Sequence, residues 1–154
     1  MTAPTATGSI AIAASPAAVY DLITDLTSYS DVAEETSAIR WVSGSSAAPG
    51  AVFKGTNRNG WRRWTTTCTV TEADPARRFA FTVRHTVVPI ARWLYEIEPT
   101  DGGCRVTEST WDNRPRWFKT PAGLFTGTPD RVGTNTANIA ATLARLKQRA
   151  ETTA

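Results

Sequence analysis

The chain has 154 residues, and 17 Lys and Arg against 14 Asp and Glu leave a net charge of only +3. That length fits one domain, and the charge is too mild for a dedicated nucleic-acid binder. No apolar run approaches the ~18 residues of a membrane span, and no basic-then-apolar secretory leader opens the chain. One histidine, His85, and two cysteines, Cys68 and Cys104, with no CxxC spacing do not make a zinc site, and no GxSxG elbow is present.

Taken in chain order, residues 1–6 read as a frayed tail. Ser9 to Ala13 alternate and read as a strand. Ser15-Pro16 then supplies an N-cap and a first-turn proline, and Ala17, Val19, Tyr20, Leu22, Ile23 and Leu26 recur at helical spacing. The helix is expected to end near Asp25, and Thr27 to Val32 reads as a turn into a second short helix.

A long β region follows. Strands are expected at Ser37–Val42, Ala51–Arg58, Trp61–Thr71, Arg78–Arg84, Arg92–Glu98 and Cys104–Thr110, with hairpin turns at Asn59-Gly60 and Asp101-Gly102-Gly103. Residues 111–127 form an apolar and basic connection with two prolines and four aromatics. Thr128-Pro129-Asp130 starts a last helix that runs to about Ala150, with Val132, Thr136, Ile139, Leu143 and Leu146 on one stripe.

Three segments carry a family likeness. Ile10 to Asp25 resembles the "apolar strand, Pro, helix, aspartate" opening of the START-like (SRPBCC) superfamily. Tyr29 stands in the next turn, where that family usually has an aromatic. Tyr95 to Glu108 is similar to its last hairpin. The likeness spans about residues 8–150 and is nearest to the bacterial polyketide cyclase/dehydrase group.

It implies an α+β helix-grip fold: a curved seven-stranded antiparallel sheet around a long C-terminal helix, two short helices after the first strand, and an apolar cavity between sheet and helix. The single domain is then residues 7–150, with 1–6 and 151–154 as flexible termini. Cys68 and Cys104 fall on non-neighbouring strands in that fold, so no disulfide is expected, which fits a reducing cytoplasm.

Strand alternation assigns one set of side chains to the concave face. It runs through Phe53, Gly55 and Asn57; Trp64, Thr66, Cys68 and Val70; Phe79, Phe81 and Val83, with His85 at the strand end; Trp93, Tyr95 and Ile97; and Cys104, Val106, Glu108 and Thr110. Each aromatic is either ordinary core or a wall of an apolar pocket. Glu108 is the candidate acid–base residue, because a carboxyl on that face is desolvated and its pKa rises. Phe53, Asn57, Trp64, Phe81, Trp93, Tyr95, Thr110 and Trp117 are the candidate ligand contacts.

In the connection, Trp117, Phe118, Leu124 and Phe125 read as a gate. Arg114, Arg116 and Lys119 read as a basic contact for an acidic head group or a transient membrane surface. The resemblance also implies a pocket arginine in the cyclases of this fold. Here Arg62 and Arg63 fall near a hairpin, and the mid-strand residues are Thr65, Thr66, Thr67 and Cys68.

The expectation is a cytoplasmic binder or carrier of a hydrophobic small molecule, such as a lipid, polyketide or aromatic metabolite. It needs no metal, no cofactor and no nucleic acid. Two alternatives stand beside it: an aromatase/cyclase or dehydratase using Glu108, and an interaction module with a filled cavity.

Overall fold

The computed structural model describes residues 2–26, 36–115, 117 and 131–153. Its order is β1 (Ala6–Ile12), α1 (Pro16–Thr24), β2 (Thr36–Ser43), β3 (Val52–Asn59), β4 (Arg62–Asp74), β5 (Arg78–His85), β6 (Val88–Thr100), β7 (Gly103–Asp112) and α2 (Arg131–Thr153). The second short helix expected over 27–32 lies outside the described residues. Among those described, a single helix follows β1.

All seven strands join one antiparallel sheet in the order β1-β7-β6-β5-β4-β3-β2. Consecutive strands from β2 to β7 pair with their neighbours, and β1 closes beside β7. Register shifts leave Thr71 on β4 and Ile90 on β6 as extra residues, bulges that bend the sheet.

Local chemistry explains the ends. The Ser15 hydroxyl accepts from the Ala18 N–H at 3.1 Å, and Pro16 occupies the first turn of α1. The β3–β4 turn sits one residue later than Asn-Gly suggests. Asn59 pairs with Arg62, so Gly60 and Trp61 are the two loop residues. Gly60 takes φ +63° while Trp61 does not, the pattern of a II′ turn with glycine first. At the β6–β7 turn, a Cβ on Gly103 would collide with the Ile12 carbonyl oxygen. Glycine there lets the β1–α1 corner cross the hairpin.

Helix α2 lies on β1 with Ile139, Leu143, Leu146 and Ala150 buried. Its axial placement is fixed at three points. A Cβ on Gly8 would press into Ile139, the Lys147 ammonium donates to the Ala11 carbonyl at 3.1 Å, and Glu151 accepts from the Ala13 N–H at 2.8 Å. The expected inward stripe is corrected at its start. Thr136 is exposed and Val132 is 47% exposed, while Asn135, one turn before Ile139, points inward. Two described residues outside 7–150 make backbone contacts. Thr5 donates to Thr110 along β7, and Glu151 belongs to α2.

Two layers of side chains result. The concave layer is a core of Phe53, Cys68, Val70, Phe79, Phe81, Tyr95, Ile97, Cys104 and Val106 against α1 and α2. The convex face buries Ala80, Leu94 and Ser109 beneath an ion-pair cluster. Cys68 and Cys104 are free thiols, separated by β5 and β6, as the strand order requires.

Candidate functional site

The concave set forms rows across the sheet because the register aligns it. Asn57 is opposite Trp64, Phe53 opposite Cys68, and Val70 opposite Phe81. Phe81 in turn faces Trp93, and Trp93 faces Thr110; Phe79 faces Tyr95, and Tyr95 faces Glu108. Aromatic contacts knit the wall. Phe53 meets Phe81 edge-on with centroids 5.3 Å apart, and Phe79 lies 5.7 Å from Phe81. Trp41, not singled out in sequence, meets Phe53 edge-on at 5.8 Å. The register that pairs Trp41 with Phe53 across β2 and β3 puts it there.

Glu108 is the one buried carboxyl among the described residues, at 2% exposure. The Tyr95 hydroxyl donates to its Oε1 at 2.8 Å, and Tyr95 is itself buried. Oε2 meets no hydrogen-bond partner. Burial pushes the carboxyl up to about 8, against the lowering effect of the Tyr95 hydrogen bond. At neutral pH Glu108 is therefore a carboxylic acid. Oε1 accepts from tyrosine, so the acid proton belongs on Oε2, the oxygen with no partner.

Asn135 was not picked out in sequence. It is 6% exposed on the inward side of α2, and its Oδ1 also lacks a partner. Its signal was helical spacing, four residues before Ile139. Two buried polar atoms without partners in the sheet-facing layers are unusual, since buried polar groups are normally satisfied.

The other candidates are placed as follows. Phe53, Phe81 and Thr110 are buried, and the Thr110 hydroxyl is spent on the Arg92 carbonyl at 3.1 Å. Trp64, Trp93 and Asn57 are half-buried, and the Asn57 amide donates to the Thr66 hydroxyl at 3.1 Å. His85 sits half-buried at the end of β5 beside Thr86. Burial pushes the Cys68 thiol up to about 12, which removes it as a nucleophile at neutral pH.

In the connection after β7, Trp117 is 69% exposed, and one cation departs from expectation. Arg114 is not available as an open cation: its guanidinium forks onto Asp112 at 2.9 and 2.8 Å, with both side chains about one-tenth exposed. That geometry spends its charge inside the protein. Arg116, Phe118, Lys119, Leu124 and Phe125 lie outside the described residues. Arg62 and Arg63 are at the mouth of the β3–β4 hairpin, opposite Asn59 and Arg58.

No group of three or more metal-ligating side chains forms among the described residues, and no helix there is long and apolar enough to cross a membrane.

The family model for polyketide cyclase / dehydrase and lipid transport matches residues 3–151. The chain belongs to that family. No curated protein matches the sequence. Among solved structures, the Polyketide_cyc-like protein Cgl2372 from Corynebacterium glutamicum is similar at 26% identity with a TM-score of 0.64. That match covers 97% of this chain and 93% of the other. The di-domain ARO/CYC StfQ of the steffimycin biosynthetic pathway matches with a TM-score of 0.74 at 12% identity, over 96% of this chain and 50% of StfQ. DynU16, a putative protein of the dynemicin biosynthetic locus, matches with a TM-score of 0.67 at 13% identity, over 96% of this chain and 47% of its own. The last two likenesses establish the fold.

Proposed function

We propose that the protein binds a hydrophobic small molecule, of the lipid, polyketide or aromatic-metabolite class, in a cavity between the concave face and α2. The observation that carries this reading is Glu108 Oε2: a buried, protonated oxygen without a partner, set in a wall of aromatic and aliphatic side chains. An unsatisfied buried donor is costly, and a ligand carbonyl or hydroxyl oxygen relieves that cost. The ligand this site suits is largely apolar with one neutral oxygen acceptor. Tyr95 orients the acid, and Phe53, Phe81, Trp64 and Trp93 supply apolar contact. The cytoplasm is the proposed location, with one domain acting without metal or cofactor.

The same observation favours one second reading. An acid whose pKa lies near neutrality is suited to proton transfer, so a cyclase or dehydratase would use Glu108 to protonate a carbonyl or a departing hydroxyl. The Arg62 and Arg63 positions supply no mid-strand cation for such a step.

Native mass spectrometry of protein purified from its own host, with extraction of bound material, tests the proposal. A discrete apolar ligand supports it. An empty protein that also takes up no fluorescent hydrophobic probe overturns it. Glu108→Gln separates the two readings: turnover lost with binding retained identifies an enzyme.

A further inference from the structure

Five large apolar side chains are well exposed among the described residues: Val42, Trp61, Val87, Trp117 and Val132. Their placement is uneven. The sheet register puts the β3–β4 tip, the β5–β6 tip, the end of β7 and the start of β1 at one end. Helix α2 begins at that end too, since Ile139 lies over Gly8 while Glu151 reaches Ala13 at the other. Trp61, at 81% exposure, is the β3–β4 tip, and Val87, at 87%, is the β5–β6 tip. Val132 opens α2 and Trp117 follows β7. Only Val42 belongs to the opposite end.

The charges follow the same division. Arg58, Arg62, Arg63 and Arg84 flank the two tips on the strand residues nearest them. Three of the four are fixed by the tips themselves. Arg58 donates to the Gly60 carbonyl at 3.0 Å, Arg84 donates to the Thr86 carbonyl at 3.1 Å, and the Arg62 guanidinium stacks 4.3 Å from the Trp61 ring. None of the four forms an ion pair with a described carboxylate. At the opposite end the exposed cations are matched by carboxylates: Arg77 lies 3.6 Å from Asp74, Arg105 stands opposite Glu98, and Asp101 is in the turn.

Arginines held in a ring behind projecting Trp and Val side chains make a surface that is apolar at its tip and cationic just behind it. A lipid bilayer with an anionic surface has the complementary arrangement: phosphates and acidic head groups outside, hydrocarbon beneath. Tryptophan favours that boundary, and basic residues add attraction to acidic lipid. We propose that the β3–β4 and β5–β6 hairpin tips are a docking surface for anionic membranes. The contact is shallow and reversible, and two exposed apolar tips are too few for stable insertion.

Vesicle sedimentation tests this on the full chain. Vesicles of phosphatidylcholine alone are compared with vesicles of equal parts phosphatidylserine and phosphatidylcholine, at low and high salt. The expected result is binding to the mixed vesicles only, weakening as salt rises. The triple variant Arg58→Gln/Arg62→Gln/Arg63→Gln is expected to lose roughly five-fold per arginine, on the order of a hundred-fold together. The double variant Trp61→Ser/Val87→Ser is expected to lose roughly ten-fold. Both tips are exposed, so unchanged thermal unfolding of the variants verifies that the fold survives. Equal binding to both vesicle types, no binding to either, or undiminished binding by the variants overturns the proposal. So does saturable binding to a single-stranded oligonucleotide with none to vesicles.

Discussion

Glu108 and Glu72 stand on opposite faces of one sheet and have opposite fates. Glu72, on the convex face, accepts from Arg78 at 3.3 Å and from Arg92 at 2.9 Å, and Arg78 also reaches Glu96 at 2.9 Å. Hydrogen bonds from Arg78, ahead of its charge and that of Arg92, hold the Glu72 carboxyl below its ordinary value. Glu108, on the concave face, has one neutral partner and no cation, and burial drives it upward. A carboxyl surrounded by guanidinium groups is a structural tie. A carboxyl denied them is a neutral acid with an oxygen to spare. The contrast teaches that the sheet satisfies its polar groups where they hold strands together and leaves one unsatisfied where the helix-facing layer is apolar.

The largest expected break in that comparison is the pH dependence of stability. Below about 4.5 the Glu108 carboxyl is protonated in both the folded and the unfolded chain. Between 4.5 and about 8 the folded protein keeps a proton that the unfolded chain releases. Stability therefore falls as pH climbs through that window, by a few kcal/mol for a shift of this size, and levels off above it. Urea unfolding across pH is expected to show this slope in the native protein, and Glu108→Gln, which is always neutral, is expected to remove it.

Tyr95→Phe comes next. It takes away the hydrogen bond that lowers the Glu108 pKa, so the titration moves above 8, and it leaves Oε1 without its donor. The expected loss of stability is about 1–3 kcal/mol at pH 7, read by the same unfolding measurement. An unchanged midpoint and stability would mean that the pair is not formed in solution.

Glu72→Gln is expected to do least. The side chain is 38% exposed, and solvent screens its pairs with Arg78 and Arg92. The loss is expected to stay under about 1 kcal/mol and to shrink in high salt. Its pH dependence has the reverse sign: the contribution of Glu72 is present above pH 4.5 and disappears as pH falls below it, because its folded pKa is depressed. Opposite slopes from two glutamates of one sheet are the signature of the two faces.

The sequence carried much of this. Alternation put Tyr95, Glu108, Phe53 and Phe81 on one face because each strand has period two and the hairpins fix the register. Ser15-Pro16 marked α1 because a cap and a first-turn proline act locally. What escaped was set by partners that strand alternation and composition do not name. Asn135 turns inward because Gly8 sets where α2 lies on β1. Arg114 is spent because Asp112, two residues away, folds back onto it, and composition alone reads such an arginine as a free cation. The Arg-ringed tips became a surface only once two hairpins were brought to the same end.

The most direct test of the central claim is the ionisation state of Glu108 itself. Carboxyl carbon shifts of protein labelled at its glutamates, assigned by comparison with Glu108→Gln, follow this group through a pH titration. One glutamate titrating near pH 8 and fully protonated at pH 6 is the predicted result. A Glu108 that is ionised at pH 6, with a midpoint near 4.5, would contradict the account of the concave face as a neutral donor site.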